Sequence, residues 1–432
     1  LLADMAPEDI PSAALPSGSV GVGAPMAKAA AAVPAPQAPQ SSAAQAPRSG
    51  AASGEGASTV GLRGSAQAVG DIHICLCSDD PDLRPMAVAI NSTIATSRRP
   101  ERLVFHVVTT PEASSDFETR LRAWLPLQAA SLMVHNDADL QQRIQGLVTF
   151  RKSSSARKSL ASPFNFAPFY LDDFVVRKME APQPTRLIYL DTDVVVVEDI
   201  AELHDMDLGG QPAAAVEDCF QHFELYIDFV ELRSRGLDKG FDPKACVFNR
   251  GVFVVDVVKW REARITSDIE MWMARYKDSK KDLYRYGMSQ PPWLLALGHR
   301  YQRMHSKWNC RGLGREALDI TEFKDVQAVM GLRSKADKKS LKIYQDDKVR
   351  PFISTCSADA GLLHFNGAMK PWLSGKWGKK KAPLCAIPAL QLSALPQPVP
   401  IKQRVERCEA RWWAFLSEAG AVALQKPAGG AG

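Results

Sequence analysis

No stretch of the 432 residues approaches the run of about 18 apolar side chains that a membrane-spanning helix needs. Zinc-ligand spacing is also missing: the eight cysteines, at 75, 77, 219, 246, 310, 356, 385 and 408, never form a pair of closely spaced pairs. That removes a zinc-ribbon or zinc-finger reading. Cys75 and Cys77 fall two apart in an expected strand and share a face, which favours buried free thiols over a bond. Pairing among the other six stays open. Charge of one sign is in short supply as well, because a net +5 falls well short of a nucleic-acid-binding signature and suits at most a small anionic ligand or a polyanion. There is no internal repeat.

What is present suits one large α/β domain with extras, given 46% hydrophobic residues over this length. Residues 1–70 are dominated by Ala, Pro, Gly, Ser and Gln. They lack the aromatic and branched side chains that would offset chain entropy, and so read as a disordered stalk or linker. From Asp71 the pattern alternates. Strands are expected at Ile72–Cys77, Leu103–Val108, Leu132–Val134, Ala213–Val216, Phe248–Val255 and Ala360–Phe365. Helices are expected at Met86–Thr96, Phe117–Leu125, Phe164–Val176, Trp260–Tyr276 and Pro291–Leu297. Such alternation implies a mostly parallel, Rossmann-like sheet flanked by helices, with ligands beyond the carboxyl ends of its strands. This single domain runs over 71–385. Residues 333–349 read as a charged surface insertion, and 386–432 as a C-terminal extension whose amphipathic helix is Val405–Leu416.

The centre of this pattern is Arg186–Glu198, RLIYLDTDVVVVE. Its unalternating branched and aromatic residues predict a strand buried on both faces. Asp191 and Asp193 interrupt it, and carboxylates at the edge of a core need a partner. They meet one ion only if the backbone turns at Thr192, because a regular strand points them to opposite faces. Asp-x-Asp also occurs at 80–82, 137–139 and 205–207, where a solvated turn is the ordinary reading. Only the copy at 191–193 follows a buried-strand signal.

Two further groups gather beyond strand ends. His364 stands in LLHFNGAMKPW, with Gly367 and Lys370 after it; Asp79 and Asp80 follow the first strand. Two carboxylates and an imidazole make a shell for Mn²⁺ or Mg²⁺, and zinc satisfies the ligand types too. A histidine on an apolar strand is, by itself, more often a satisfied core residue. Gly367 would admit a ligand close to the backbone, and Lys370 offers an ammonium for a phosphate. Lys376–Lys381 reads as a solvated face, Trp412 and Trp413 as packing for the last helix.

The ordered set LDTDVVVVEDI, FNRGVFVVDVVKWR, QPPWLLALGHRYQRMHSKWNCRGLG and LLHFNGAMKPW resembles glycosyltransferase family 8, from about Asp71 to Trp372. It is most similar to plant galacturonosyltransferase-like and animal glycosyltransferase-8-domain proteins. The resemblance implies a GT-A fold, a UDP-sugar donor and transfer with retention of configuration. It assigns Mn²⁺ to Asp191, Asp193 and His364, and the diphosphate to Gly367 and Lys370, with Thr192 between the aspartates at the cofactor. Asp79 or Asp80 would meet the nucleotide, and Asn249 the donor or acceptor sugar. Gln290 stands in the family's Asp-Gln position, with Ser289 in place of the aspartate. Pro168 stands where the family carries an arginine, and Arg177, Lys178 or the loop at 151–158 are the replacements to consider.

The expected activity is therefore a metal-dependent retaining transfer from a UDP-sugar to a glycan, with no nucleic-acid partner. A nucleotide-sugar or glycan binding protein without turnover is the second reading, and a structural Ca²⁺ domain the third. The resemblance and the stalk imply a type II Golgi enzyme, its anchor outside this chain, which begins at Leu1.

Overall fold

Branched and aromatic runs build a seven-stranded sheet in the computed structural model, which describes residues 70–151, 158–330, 344–345, 348–376, 382–396 and 399–426. The expected stalk, the middle of the basic loop at 151–158, most of the insertion at 333–349 and nearly all of the basic segment at 376–381 lie outside the described residues. Parallel strands β1 (Ile72–Cys77), β2 (Leu103–Val108), β3 (Ser131–His135) and β4 (Arg186–Leu190) form one half of the sheet. After β5 (Val194–Val196), the strands β6 (Ala213–His222), β7 (Cys246–Asp256) and β8 (Gln302–Arg303) complete it in the order β3-β2-β1-β4-β7-β6-β8. Only β7 runs against its neighbours β4 and β6. Helices Arg84–Thr96, Pro111–Trp124 and Ala138–Leu147 connect or follow the first strands, as the alternation predicts.

β4 is buried on both faces, as its unalternating composition requires. Ile188 and Leu190 join a core with Ile74, Leu76 and Phe105, whereas Leu187 and Tyr189 join another with Phe248 and Phe253.

Three smaller sheets accompany the central one among the described residues. Strands β9 (Leu318–Asp319), β10 (Tyr344–Gln345) and β11 (Lys348–Arg350) pair antiparallel. Then come β12 (Ile353–Ser354) and β13 (Leu362–His364), the latter antiparallel to β5. Finally β14 (Leu384–Ala386) pairs with both β12 and β15 (Val405–Arg407). Disulfides join Cys219–Cys246, Cys310–Cys356 and Cys385–Cys408, leaving Cys75 and Cys77 buried and free.

Four expectations need correction. Phe164–Val176 is not one helix but 3₁₀ turns at Pro163–Asn165 and Ala167–Tyr170 before a single turn Leu171–Phe174. Pro163 and Pro168 supply no N–H for a continuous ladder. The helix expected over Trp260–Tyr276 divides into Val257–Glu262 and Ile265–Asp278 at Arg264, whose φ is +53°. The terminal helix begins only at Cys408, because Val405–Arg407 is consumed by β15. The boundary drawn at 385/386 falls inside β14, and the Cys385–Cys408 bond crosses it. Trp412 is fully buried against Trp372, in the packing role read for it.

Three imidazoles cross the parallel strands in series. His73 Nδ1 lies 2.9 Å from His106 Nε2, and His106 Nδ1 lies 2.9 Å from His135 Nε2. Burial, helped by the neighbouring rings, holds His106 down at about 2, and burial with the Lys178 ammonium holds His135 down at about 4. A histidine with a depressed native pKa stays neutral while the unfolded chain takes up protons below 6.5. Stability is therefore lost as pH falls from 6.5 towards 4. At pH 5 the loss is about 2 kcal/mol for each of these two rings. Urea midpoints measured from pH 7.5 to 5 should fall accordingly, less steeply in His106→Leu. A flat profile in the wild type contradicts this reading.

Candidate active site

The two aspartates and the histidine arrive from three elements. β4 ends at Leu190, and the Asp191 N–H donates to the Gly251 carbonyl on β7 at 2.7 Å. The backbone turns over 191–193, as the two carboxylates demanded, and resumes as β5. Pairing of β5 with β13 sets His364 opposite Val194, and the Phe365 N–H donates to the Asp193 carbonyl at 2.8 Å. A ligand atom of each of Asp191, Asp193 and His364 thus lies within 4.8 Å of the others.

His364 has a side chain only 2% exposed. Its Nε2 lies 3.2 Å from Asp193 Oδ1 and 3.7 Å from Asp191 Oδ2, yet it makes no hydrogen bond. A buried imidazole nitrogen left unpartnered between two carboxylates is costly unless a cation fills the gap. The donor set, one nitrogen and two carboxylate oxygens, fits Mn²⁺ or Mg²⁺ with further positions for ligand oxygens. Among the described residues, one other acidic cluster contains Glu217, Cys219 and Cys246, but its cysteines are bonded to each other.

Side chains of opposite charge flank this centre. Lys370 Nζ donates to Asp193 Oδ2 at 2.5 Å and to the Phe365 carbonyl at 2.9 Å. Burial pushes the Asp193 carboxyl up, and the Lys370 ammonium leads the opposing interactions that hold it far below the usual range. On the other side Arg250 Nη1 lies 3.6 Å from Asp191 Oδ1, which also accepts from the Tyr189 hydroxyl at 2.6 Å. A cavity of about 260 Å³ opens between them.

Not every candidate reaches this cavity. Asp191, Thr192, Asp193, Lys370 and Asp79 line it, and the Ser162 hydroxyl donates to Asp79 Oδ2 at 2.7 Å. His364 stands behind the aspartates and is not among the residues lining the cavity. Asp80 instead closes its own turn, accepting from the Asp82 N–H at 2.9 Å. Gly367 has a φ of +118°, and a Cβ there would lie 2.4 Å from the Gly314 carbonyl oxygen. Backbone rather than ligand occupies that space. Asn249 borders a second cavity, of about 270 Å³, together with Asn309, Glu217 and Arg311. Gln290 braces β7, donating to the Phe248 carbonyl at 2.6 Å and accepting from the Arg250 N–H at 3.4 Å.

Two of the stand-ins for the missing arginine, Arg177 and Lys178, are committed elsewhere, and the middle of the loop at 151–158 lies outside the described residues. Pro168 is buried, Arg177 pairs with Asp172 at 3.1 Å, and Lys178 pairs with Asp137 at 2.7 Å. Among the described residues lining the cavity, the arginine is Arg250, whose guanidinium also donates to the Asn165 side chain. Its local pattern, Asn-Arg-Gly inside an apolar strand, offers no signal that singles it out. Gly251 and Asn309 also escaped notice. A glycine inside an apolar strand was the available signal for the first, since it marks close approach by another group.

The family description "Glycosyl transferase family 8" matches residues 73–376. Among curated proteins, the probable galacturonosyltransferase-like 5 of Arabidopsis thaliana is 32% identical over 306 residues, covering 70% of this chain and 71% of its own length. The probable galacturonosyltransferase-like 6 of the same plant is 34% identical over 320 residues, covering 73% and 78%. Among solved structures, the galactosyltransferase LgtC in complex with donor and acceptor sugar analogs is 20% identical with a TM-score of 0.44, covering 70% of this chain and 89% of that one. The mostly parallel sheet flanked by helices has the GT-A architecture. The chain belongs to glycosyl transferase family 8.

Proposed function

We propose that the chain transfers a sugar, in a metal-dependent reaction, from a UDP-sugar to a glycan acceptor at the centre formed by Asp191, Asp193 and His364. Family membership makes it a retaining glycosyltransferase with a nucleotide-sugar donor. The observation that carries the metal requirement is the orphaned Nε2 of His364 facing two carboxylates. Mn²⁺ or Mg²⁺ held there would supply Lewis-acid charge for the departing diphosphate.

Each side chain then has a task. Asp191 and Asp193, which contact Arg250 and Lys370, would hold the cation together with His364. Lys370 turns its ammonium to the diphosphate, where negative charge grows as the sugar bond breaks. Thr192 and Asp79 are placed to meet the nucleotide. The carboxylates described in the cavity wall are Asp79, Asp191 and Asp193; the last two bind the cation, and Asp79 is held by Ser162. No wall carboxylate is left to attack the anomeric carbon. This supports front-face transfer, in which a leaving-phosphate oxygen takes the acceptor proton.

The curated relatives carry the name galacturonosyltransferase-like, so a uronate donor heads the panel to be tried. Arg250 offers a guanidinium suited to a sugar carboxylate. With a UDP-galacturonate donor, Arg250→Ala should lower kcat/KM at least ~10-fold more than with a neutral UDP-hexose; equal losses contradict that contact. Three disulfides need an oxidising compartment, which supports the Golgi lumen as the setting. Among the described residues no helix is long and apolar enough to cross a membrane.

The test is UDP release across a donor panel. Turnover should require Mn²⁺ or Mg²⁺, vanish with chelator and return on adding metal. Chelator-insensitive turnover would sink the metal reading. Metal-dependent UDP binding without turnover on any donor or acceptor would favour a binding protein instead.

A further inference from the structure

We propose that Asn309 is a positioning residue that fixes the ring tautomer of His364, and that Asn249 and the Gly251 backbone in turn fix Asn309. This rests on the cation reading of the site and extends it to residues outside the Asp191, Asp193 and His364 set.

The chain of polarity starts at a group that cannot be reversed. The Gly251 N–H can only donate, and it points at Asn249 Oδ1 at 2.8 Å. An amide NH₂ cannot accept a hydrogen bond, so oxygen must face Gly251. The same Asn249 oxygen lies 3.3 Å from Asn309 Nδ2, which must therefore be the NH₂ end of the second amide. Its other end, the Asn309 oxygen, then faces His364 Nδ1 at 2.9 Å. An oxygen accepts only, so the ring proton sits on Nδ1. That leaves Nε2 with a bare lone pair, and Nε2 is the atom found buried without a hydrogen bond between Asp191 and Asp193.

The opposite tautomer would place an N–H against Asp193 Oδ1 and leave no lone pair for a cation. Asn309 is itself 4% exposed, so water does not compete for its amide. One backbone N–H on β7 thus dictates, through two amides, which nitrogen of His364 is available. Outer contacts of this kind are worth about 10–100-fold in metal affinity.

The full chain, labelled with ¹⁵N-histidine and free of metal, gives the first readout. Long-range ¹H–¹⁵N correlation should show the His364 proton on Nδ1, the signal being assigned by its loss in His364→Gln. A proton on Nε2 overturns the proposal without any variant. For the second readout, Mn²⁺ binding is followed by electron paramagnetic resonance. Asn309→Leu should shift the tautomer towards Nε2–H and weaken Mn²⁺ at least ~10-fold. Asn309→Asp still accepts from Nδ1, although its second oxygen opposes Asn249 Oδ1, so it should keep the proton on Nδ1 and lose less Mn²⁺ affinity than Asn309→Leu. An unchanged tautomer and affinity in Asn309→Leu, or equal losses in both folded variants, overturn the proposal. If wild-type protein binds no Mn²⁺ even with UDP present, the cation reading itself fails, while the tautomer measurement still decides the role of Asn309.

Discussion

Asp193→Ala abolishes metal-dependent binding of UDP, with a loss of at least ~100-fold, beyond the range expected for residues outside the ligand shell. Asp193 carries two duties. Oδ1 faces His364 Nε2, and Oδ2 holds the Lys370 ammonium. Removing the carboxylate deletes one cation ligand and leaves an ammonium, largely shielded from solvent, without its ion pair. Lys370 then repels the incoming divalent ion, so the loss exceeds that of Asp191→Ala, where Arg250 keeps its Asn165 contact. Calorimetric titration of UDP with Mn²⁺ and with chelator checks this. Tight binding by the variant that ignores chelator would show that the diphosphate does not dock through a cation at this place.

Gly251→Ala should be almost as damaging, although one methyl group is added and no ligand removed. A Cβ at this position would lie 2.4 Å from His364 Cε1 and 2.7 Å from Asp191 Oδ2. Neither side chain is free to yield. The ring is buried and held through Nδ1, and Asp191 accepts from the Tyr189 hydroxyl. The methyl therefore moves two ligands at once. We expect a Mn²⁺ affinity loss on the order of 100-fold with less than about 2 kcal/mol lost in stability, since β7 keeps its pairing. Circular dichroism and Mn²⁺ binding measured side by side separate the two effects. A folded variant with wild-type Mn²⁺ affinity would mean that the ligands are not where the geometry puts them.

Much of the sheet could be read from residues 72–255, because strands buried on both faces leave unbroken apolar runs that need no long-range information. The aspartates were legible for the same reason, as carboxylates stranded at the end of such a run. His364 was different. Its place depends on β13 pairing with β5, two three-residue strands far apart in sequence. No local pattern encodes that pairing; the strand-end position made His364 a candidate, and the family resemblance joined it to the two aspartates. Asp79 and Asp80 show the limit at finer scale: adjacent carboxylates in one turn look alike in sequence, yet only Asp79 enters the cavity. Register alone reveals Asn309, and it shows what approaches Gly251, since the importance of both lies in what stands opposite them. Phe164–Val176 misled because its apolar spacing is helical while its prolines are not.

The most direct measurement is anomalous scattering from crystals grown with Mn²⁺ and UDP. The account predicts one strong peak about 2.0–2.4 Å from an oxygen of each of Asp191 and Asp193 and from Nε2 of His364, with phosphate oxygens completing the shell. A peak away from these three side chains, or His364 Nε2 donating to Asp193 with the ion elsewhere, would contradict it.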